Sequence, residues 1–590
     1  MALTGAQIEQ QKKEAEELLF AGPQALGFAK ALFFGHFNAP LLFPYPEIKP
    51  EEREIVDKAV AEVRRFAEEK IDAAAIDRNA EVPHEVIEGL AQLGVLGMTA
   101  PPDFGGRGFS QLGYCRIMEV IGGHCPSTAV FVNAHHSIGI RALLLFGAEE
   151  QKRQWLPGLV SGKQLAAFAL TESEAGSDAA NVQTTATPTP EGKAYLLNGT
   201  KRYITNGAIA QVLTVMARTP VPGSSESKVT AFLVTPDMPG FEVVEARMPK
   251  VGIRGTATAR LAFHDMRVPA ENVLGQVGKG LRVALTVLDF GRTTFGASCT
   301  GAAKACVRAA CEHAKTRKQF KQTLSEFELV KKKIAYMAAH AFAMEATTSE
   351  CASFIDRGFE DYMLETAMLK VWSTDALWQI VNDTIQIFGG KAYFCDEPYE
   401  RMMRDARINQ IGEGANDVLR AFIALVGMRG VGEELKGVLD AFQHPIKERG
   451  KLWSFVREQV GARLVAPEVP VQSASLKKEA SHLSRRVRDF GLAVQGVLRR
   501  HREAVLQMQY VQERIADAAC ELYASSCTLS RLDHLLTHSN GNPADMKRDE
   551  MAGRYFLKLA DRRIRQSLGQ LGDNDDADTT ATADAVLDRS

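Results

Sequence analysis

Residues 404–417 read RDARINQIGEGAND, and the prediction for the whole chain starts from this stretch. It places one carboxylate, Glu413, between Gly412 and Gly414, directly before the start of a new helix. Glycine on both sides permits irregular backbone and the close approach of another molecule. A lone glutamate is more often a solvated surface charge. The meaning of Glu413 therefore depends on the rest of the sequence.

Two further motifs lie upstream of Glu413. Residues 168–178 (FALTESEAGSD) combine small residues with hydroxyls at a predicted strand end, where backbone N–H groups can approach a planar or phosphorylated ligand. Residues 201–207 (KRYITNG) alternate Tyr203 with Thr205 on one strand face, which suits stacking on a ring system. Taken alone, each motif also fits an ordinary turn or a cross-strand aromatic contact.

Composition excludes several classes of protein. The chain has 590 residues, which predicts two to four domains, and its net charge of −2 gives no basic excess for binding nucleic acid. The nine cysteines are scattered without a C-x-x-C pair. This pattern indicates a reducing compartment and predicts neither a disulfide framework nor a metal site.

Hydrophobic periodicity divides the chain into helical and β regions. A helix is predicted over residues 51–72, short Val- and Thr-rich runs follow residue 166, and the dipeptide Asn198-Gly199 predicts a tight hairpin turn. The predicted organisation is an N-terminal extension (1–50), a helical domain (51–165), a β domain (166–280), a helical bundle (281–435), a linker (436–475), an extra helical domain (476–571) and a disordered tail (572–590).

Membrane and targeting signals are weak. Lys30 and His36 interrupt the apolar region 25–43, so no stretch is predicted to span a bilayer, and the acidic N-terminus is unlike a signal or transit peptide. Residues 447–464 mix basic and apolar side chains, which fits either peripheral membrane contact or a surface helix. We expect a cytoplasmic bacterial protein, peripheral at the inner membrane if that segment binds lipid, or a mitochondrial matrix protein if the chain is processed.

In their order and spacing, the motifs resemble the acyl-CoA dehydrogenase family, most closely its very-long-chain, membrane-associated branch. The family pattern T-E-P-x-A-G-S-D appears as TESEAGSD and W-I-T-N-G as YITNG. R-x-x-F appears as RKQF at 317–320, Q-I-x-G-G as QIFGG at 386–390, and E-G-x-N-[DE] as EGAND at 413–417. The resemblance extends from about residue 33 to about residue 571.

This resemblance implies the fold and the cofactor. The expected fold is mainly α with an inserted β domain: an N-terminal helical domain, a middle β domain, a C-terminal four-helix bundle and an extra C-terminal helical domain. FAD would lie between the β domain and the bundle, partly across the interface of a homodimer. The implied cofactor-binding residues are Phe168, Leu170, Thr171, Gly176, Ser177, Tyr203, Thr205, Arg317, Gln319, Phe320, Gln386, Gly389, Gly390, Ala415 and Asn416.

The resemblance also implies the reaction, which is α,β-dehydrogenation of a long or very long fatty acyl-CoA in the first step of β-oxidation. Glu413 would be the catalytic base, and electrons would pass to an electron-transfer flavoprotein. Some relatives carry the base directly before the arginine matched by Arg292, but this chain has Gly291 there. The implied substrate-binding residues are Ser177, Asp289, Arg292 and Gly414.

Several positions depart from the family pattern. Ser173 replaces a proline, Tyr203 a tryptophan, Gly412 an aromatic residue and Ala415 a common threonine. Residues 128–137, expected near the far end of the acyl tunnel, contain Asn133, His135 and His136, which leaves chain length open. Two alternatives also stay open: an acyl-CoA oxidase, and a low-activity scaffold or assembly protein with the same fold.

Overall fold

The computed structural model describes residues 26–221, 223, 226–443, 465–538 and 541–588. The candidate membrane segment 447–464 lies outside these residues. The helices, numbered in chain order, are α1 (Phe28–Phe33), α2 (Pro50–Lys70), α3 (Ala73–Asn79), α4 (His84–Gln92), α5 (Gln111–His124), α6 (Pro126–Val132), α7 (Arg141–Phe146), α8 (Glu149–Val160), α9 (Gly280–Thr316), α10 (Glu328–Asp356), α11 (Met363–Phe388), α12 (Tyr399–Arg407), α13 (Asn416–Gln443), α14 (Lys477–His501), α15 (Gln509–His538), α16 (Pro543–Gly569) and α17 (Asp576–Leu587).

An N-terminal helical domain precedes the sheet, as predicted. Helix α2 forms where the apolar stripe was expected and buries Val56, Ala59 and Val63 on one face. Helices α6 and α7 are joined by a π-helical segment, Asn133–Ile140, into one continuous run. By length and composition this run, Pro126–Phe146, could cross a membrane, contrary to the sequence prediction. However, 67% of its most apolar window is buried inside the protein, as in a core helix.

The middle domain is an eight-stranded sheet with the order β6-β7-β3-β2-β4-β5-β8, in which β1 also pairs with β4. Its strands are β1 (Ala166–Ala169), β2 (Thr185–Pro188), β3 (Ala194–Thr205), β4 (Val212–Pro220), β5 (Ser227–Val234), β6 (Phe241–Glu245), β7 (Thr258–Pro269) and β8 (Val273–Leu274). A two-stranded ribbon, β9 (Lys318–Gln319) and β10 (Gln322–Thr323), follows α9. The sheet confirms the predicted β insertion between helical domains.

The predicted hairpin turn at Asn198-Gly199 was wrong. Both residues lie inside β3, at a register shift against β7 between Leu197 and Gly199. Gly199 has φ +147°, and a Cβ there would lie 2.5 Å from Thr184 Oγ1. The dipeptide therefore marks a β-bulge, which also uses glycine. The turn itself comes earlier, where Gly192 N–H donates to Thr189 O.

The bundle and the extra helical domain share one hydrophobic core, to which the N-terminal extension contributes. Within α1, Phe33 is fully buried and its ring lies 5.0 Å from that of Phe490 in α14. A partly buried ion cluster joins three domains: Glu345 in α10 pairs with Arg116 of α5, Lys304 of α9 and Arg531 of α15. The extra domain is thus integrated into the fold.

Two predicted boundaries changed. Helix α13 continues to Gln443 and so passes the predicted start of the linker at residue 436. The tail predicted to be disordered contains α17, whose first residue, Asp576, accepts a 2.8 Å hydrogen bond from Arg514 in α15. This ion pair anchors a helix that buries none of its own side chains. Its anchor lies 62 residues away in the sequence.

Candidate active site

Glu413 lies on a tight loop between α12 and α13. Its φ is +56° and that of Gly414 is +98°, so two consecutive residues adopt left-handed backbone. This region is unfavourable for a glutamate, and such strain concentrates at functional sites. The fully buried side chain of Lys370 holds this loop in place, because it donates to Gly414 O (2.6 Å) and to Asn416 Oδ1 (2.8 Å). Burial lowers the pKa of Lys370 to about 8, although Glu413 opposes the shift.

The two oxygens of the Glu413 carboxylate have different surroundings. Oε1 accepts a 2.9 Å hydrogen bond from Asn133 Nδ2. Oε2 is buried and has no hydrogen-bond partner among the described residues. Burial raises the pKa of Glu413 to about 7, against the opposing effects of Lys370, Arg292 and the Asn133 hydrogen bond. A carboxylate with a raised pKa and one free oxygen is suited to take a proton near neutral pH.

Gly291 faces this carboxylate from α9. A Cβ at Gly291 would lie 3.0 Å from Glu413 Oε2 and 3.2 Å from Ile138 Cδ1. A side chain at the alternative base position, residue 291, would therefore lie in nearly the same place as the Glu413 carboxylate. The sequence argument rested on the absence of a side chain at residue 291, and the structure adds that a side chain there would press on the carboxylate.

Asp289 and Arg292, predicted to bind substrate, lie one turn apart on α9 and are both buried. Arg292 donates to Asp289 Oδ1 at 3.1 Å, and its Nε lies 3.4 Å from Glu413 O. Asp289 also accepts from Thr366 Oγ1. Burial raises the pKa of Asp289 to about 6, while Arg292 opposes the shift. The pair therefore supports the Glu413 loop, and its contact with substrate stays a prediction.

The expectation that residues 128–137 lie far from the base was wrong. Asn133 touches Glu413 directly, while His135 and His136 are buried elsewhere. His135 accepts from Ala166 N–H at 2.9 Å, and its Nε2 lies 3.2 Å from Leu159 O. Burial lowers its pKa to about 4, so it is neutral. The polar residues at this position are structural, except for Asn133.

A second group of predicted residues lies on the β domain. Strand β1 leads into the loop at 170–178, and Tyr203 sits next to it at a bulge in β3, with φ +62° and 55% of its surface exposed. Thr171, Thr205, Phe168 and Leu170 are partly exposed, and Ser177 is exposed. A Cβ at Gly176 would meet nothing within 4 Å. This face is open for a flat ligand.

A buried ion pair, not predicted from the sequence, holds this loop in place. Lys201 Nζ lies 2.6 Å from Glu172 Oε1 and 3.0 Å from Leu170 O. Glu172 also accepts from the backbone N–H and hydroxyl of Thr184. Burial lowers the pKa of Lys201 to about 8, and Lys201 in turn holds the pKa of Glu172 below its ordinary value despite burial.

The remaining predicted cofactor residues form a third group, at the far end of the bundle. Arg317, Gln319 and Phe320 follow α9, while Gln386, Gly389 and Gly390 end α11, and all six are exposed. His313 of α9 stacks on Phe388 of α11 at 4.1 Å, which joins the two segments. A Cβ at Gly389 or Gly390 would meet nothing within 4 Å.

Ala415 and Asn416 complete the predicted set, within the base loop itself. Asn416 is buried and donates to Thr374 Oγ1 and Asp375 Oδ1 while accepting from Lys370. These contacts use its amide to fix the start of α13. The sequence did contain a signal for this support: Lys370 is a charged residue between Leu369 and Val371, in a largely apolar stretch of α11.

An apolar cavity of about 30 Å³ is lined by Asn133, the residue that contacts Glu413, but not by Glu413 itself. Asn133 lies between Glu413 and this cavity, and the other walls come from α5, α6, α9, α11 and α12. The apolar lining residues are Gly122, Pro126, Ala129, Val130, Phe295, Cys299, Ala302, Leu377, Val381, Met402 and Ala406. The walls of the cavity are apolar, but its volume is that of about one water molecule, so an alkyl chain would fit only if the lining side chains moved apart.

The sequence matches four domain families in order. These are "Acyl-CoA dehydrogenase, N-terminal domain" over residues 50–163, the middle domain over 167–266, the C-terminal domain over 278–427, and "ACAD9/ACADV, C-terminal domain" over 474–589. Together they confirm the predicted fold class and place the extra helical domain in the last of these families.

Known proteins with similar sequences and structures are also acyl-CoA dehydrogenases. The chain is 35% identical to the mitochondrial very long-chain specific acyl-CoA dehydrogenase of Rattus norvegicus, over 94% of this chain and 85% of that protein. It resembles a Bacillus anthracis acyl-CoA dehydrogenase solved with FAD (TM-score 0.75, 26% identity, 94% of each chain). Butyryl-CoA dehydrogenase of Megasphaera elsdenii matches 63% of this chain and 97% of its own (TM-score 0.60, 33% identity).

Proposed function

This chain belongs to the acyl-CoA dehydrogenase family, and we therefore propose that Glu413 is the base in α,β-dehydrogenation of long or very long fatty acyl-CoA. The protein is a flavoprotein oxidoreductase that acts on fatty acyl-CoA, and its cofactor is FAD. One observation carries the assignment of the base. The Oε2 oxygen of Glu413 is buried and has no hydrogen-bond partner among the described residues.

The chemistry of Glu413 follows from its surroundings. Burial raises its pKa to about 7, so the ionised form predominates only above neutral pH, and that form is a stronger base than an ordinary carboxylate. Oε2 is the oxygen that would take the α-proton, because Oε1 is already bonded to Asn133. Lys370 and Arg292 lie close enough to favour the ionised form before proton transfer.

The exposed face around Tyr203 fits the flavin. Tyr203 offers a flat ring, Gly176 leaves open space beside it, and Thr171, Ser177 and Thr205 add hydroxyl donors. When bound, FAD supplies the acceptor for the hydride that leaves the β-carbon. The protein positions the thioester and holds the proton on Glu413. The group around Arg317 and Gln386 is suited to the adenosine end in a homodimer, because all six of its residues are exposed in a single chain.

The substrate, electron acceptor and location are further parts of the proposal. The similarity to the rat very long-chain enzyme along most of the chain favours a long acyl group. The acceptor that the family resemblance implies is an electron-transfer flavoprotein. The similarity also favours the compartment of fatty-acid oxidation, which is the cytoplasm of a bacterium or the mitochondrial matrix. The acyl-CoA oxidase and the low-activity scaffold remain the competing functions. Binding to lipid vesicles would test whether residues 447–464 add membrane contact.

An anaerobic titration with acyl-CoA thioesters of increasing chain length tests the proposal. We expect palmitoyl-CoA to bleach the flavin in the wild type, while Glu413→Gln retains FAD and binds the thioester without flavin reduction. Flavin reduction in the variant at near-normal rate would place the base elsewhere. Comparing oxygen consumption with reduction of an electron-transfer flavoprotein separates the dehydrogenase from the oxidase, and a wild-type flavin that no thioester reduces would favour the scaffold.

A further inference from the structure

Asn133 occupies a defined position between the base and the apolar cavity. It begins the π-helical segment Asn133–Ile140 and is 3% exposed. Its Nδ2 donates to Glu413 Oε1 at 2.9 Å. Short π-helical stretches within helices often occur at functional sites. An amide that faces a buried carboxylate there needs a chemical explanation.

The orientation of the Asn133 amide follows from its two partners. An ionised carboxylate can only accept, so the donor Nδ2 faces Glu413 Oε1. The amide oxygen Oδ1 then faces Thr294 Oγ1, which lies within hydrogen-bond distance and donates to it. Behind Thr294, Ser137 Oγ lies 3.0 Å from Thr294 Oγ1, and Tyr114 OH lies 3.3 Å from Ser137 Oγ. These side chains are all buried, so the chain of contacts is shielded from water.

The charged groups around Glu413 do not orient its carboxylate. Lys370 donates to Gly414 O and Asn416 Oδ1, and Arg292 donates to Asp289 and lies near the Glu413 carbonyl oxygen. The Cys299 thiol also lies near the carboxylate, and burial raises its pKa, so it stays protonated. Among the described residues, the hydrogen bond to the carboxylate itself comes from Asn133.

We propose that Asn133 is a positioning residue for the base. Its amide fixes Oε1 and leaves Oε2 free for the substrate proton, a role that rests on the proposed function of Glu413. Because the amide cannot ionise, it orients the carboxylate and favours the ionised form without adding charge to the apolar cavity. Thr294 acts through Asn133, since its hydroxyl donates to the amide oxygen and so holds the amide in this orientation.

The sign of the effect follows from this hydrogen bond. A donor to the ionised carboxylate lowers its pKa, so removal of the donor raises the pKa and keeps Glu413 protonated over a wider range. In Asn133→Leu, a substitution of similar size, the acid limb of the flavin-reduction rate should move to higher pH by about one unit or more. Retention of FAD would show that the fold is intact.

A readout that does not depend on turnover separates this inference from the proposed function. The infrared carbonyl band of protonated Glu413, identified by its loss in Glu413→Gln, is followed against pH in the FAD-loaded protein. We expect its midpoint to rise by the same amount in Asn133→Leu, and an unchanged midpoint would overturn the role of Asn133. If palmitoyl-CoA does not reduce the wild-type flavin, the proposed function fails, while the infrared midpoint still tests Asn133.

Two substitutions at Thr294 provide the matched control. Thr294→Ser keeps the hydroxyl and should keep the wild-type midpoint. Thr294→Val keeps the shape but removes the donor to Oδ1, so the midpoint should rise by less than in Asn133→Leu. Equal midpoints in the two Thr294 variants would overturn the claim that Thr294 orients the amide. If Asn133→Leu does not fold, the two Thr294 variants alone test the series of hydrogen bonds from Thr294 through Asn133 to Glu413. Equal midpoints would then overturn the proposal.

Discussion

The ammonium group of Lys370 lies 2.6 Å from the carbonyl oxygen of Gly414, the residue that follows the base. It connects the middle of α11 to the loop whose left-handed backbone turns Glu413 toward α9. The same nitrogen reaches Asn416 Oδ1, so one buried cation fixes both sides of this turn. The geometry of the base therefore depends on a residue that need not touch substrate.

Lys370→Met should weaken both the loop and the fold. The substitution leaves the Gly414 carbonyl without its donor, and an unpaired buried polar group costs about 1–3 kcal/mol. It should also raise the pKa of Glu413, because Lys370 favours the ionised form. Urea unfolding checks the first effect, and the pH profile of flavin reduction checks the second. Lys331→Met removes an exposed lysine of α10 and should change neither.

Glu413→Gln should make the protein more stable at pH 8 than the wild type. The pKa of Glu413 is raised in the folded state to about 7, so folding opposes its ionisation. Below the unfolded pKa both states are protonated and there is no cost. The cost grows between about pH 4.5 and 7 and is complete above that range, on the order of 3 kcal/mol. Equal stability of the two proteins at pH 8 would contradict the desolvation of the carboxylate.

Lys201→Met should loosen the loop at 170–178. It leaves Glu172 buried without its counter-ion, and breaking a buried pair costs about 3 kcal/mol or more. We expect a lower unfolding temperature and weaker FAD binding, measured by calorimetry and by flavin fluorescence. Arg153→Ala, which removes an exposed ion pair with Glu150, is the control. Similar losses in both variants would mean that the buried pair does not hold this loop.

Gly291→Ala should slow flavin reduction while FAD binding is retained. The new methyl group would lie 3.0 Å from Glu413 Oε2, so either the carboxylate or Ile138 must move. Misplacing a reacting group by about 1 Å can cost about 10²-fold in rate. Gly412→Ala is the matched control, because its nearest neighbour, Ile408 O, is 3.6 Å away. Stopped-flow reduction with palmitoyl-CoA compares the two, and equal rates would contradict the crowding at Gly291.

Much of the architecture could be predicted because it is encoded locally. The apolar stripe of α2 and the Val- and Thr-rich strands follow from periodicity, and Glu413 stood out because its glycine neighbours are local as well. The predicted hairpin at Asn198-Gly199 failed because glycine serves turns and bulges equally. The strand pairing that decides between them involves β7, some 65 residues away.

The contacts that tune the site could not be predicted, because they join distant parts of the chain. Asn133 and Glu413 are 280 residues apart, and Lys370 is 44 residues from Gly414. From the sequence, Asn133 was one polar residue among several and was expected to lie far from the base. Only the packing of α6, α9 and α13 shows which polar residue reaches the carboxylate.

The position of α1 has a consequence for how the protein forms during synthesis. Phe33 packs against Gly427 of α13 and Phe490 of α14, so its native surroundings are incomplete until more than 450 further residues have been made. At translation rates of about 5–20 residues per second this takes roughly 20–90 s. Before then α1 can already contact α11, where Glu365 accepts from Ala29 N–H, but its contact with α14 has to wait until the extra helical domain has been made.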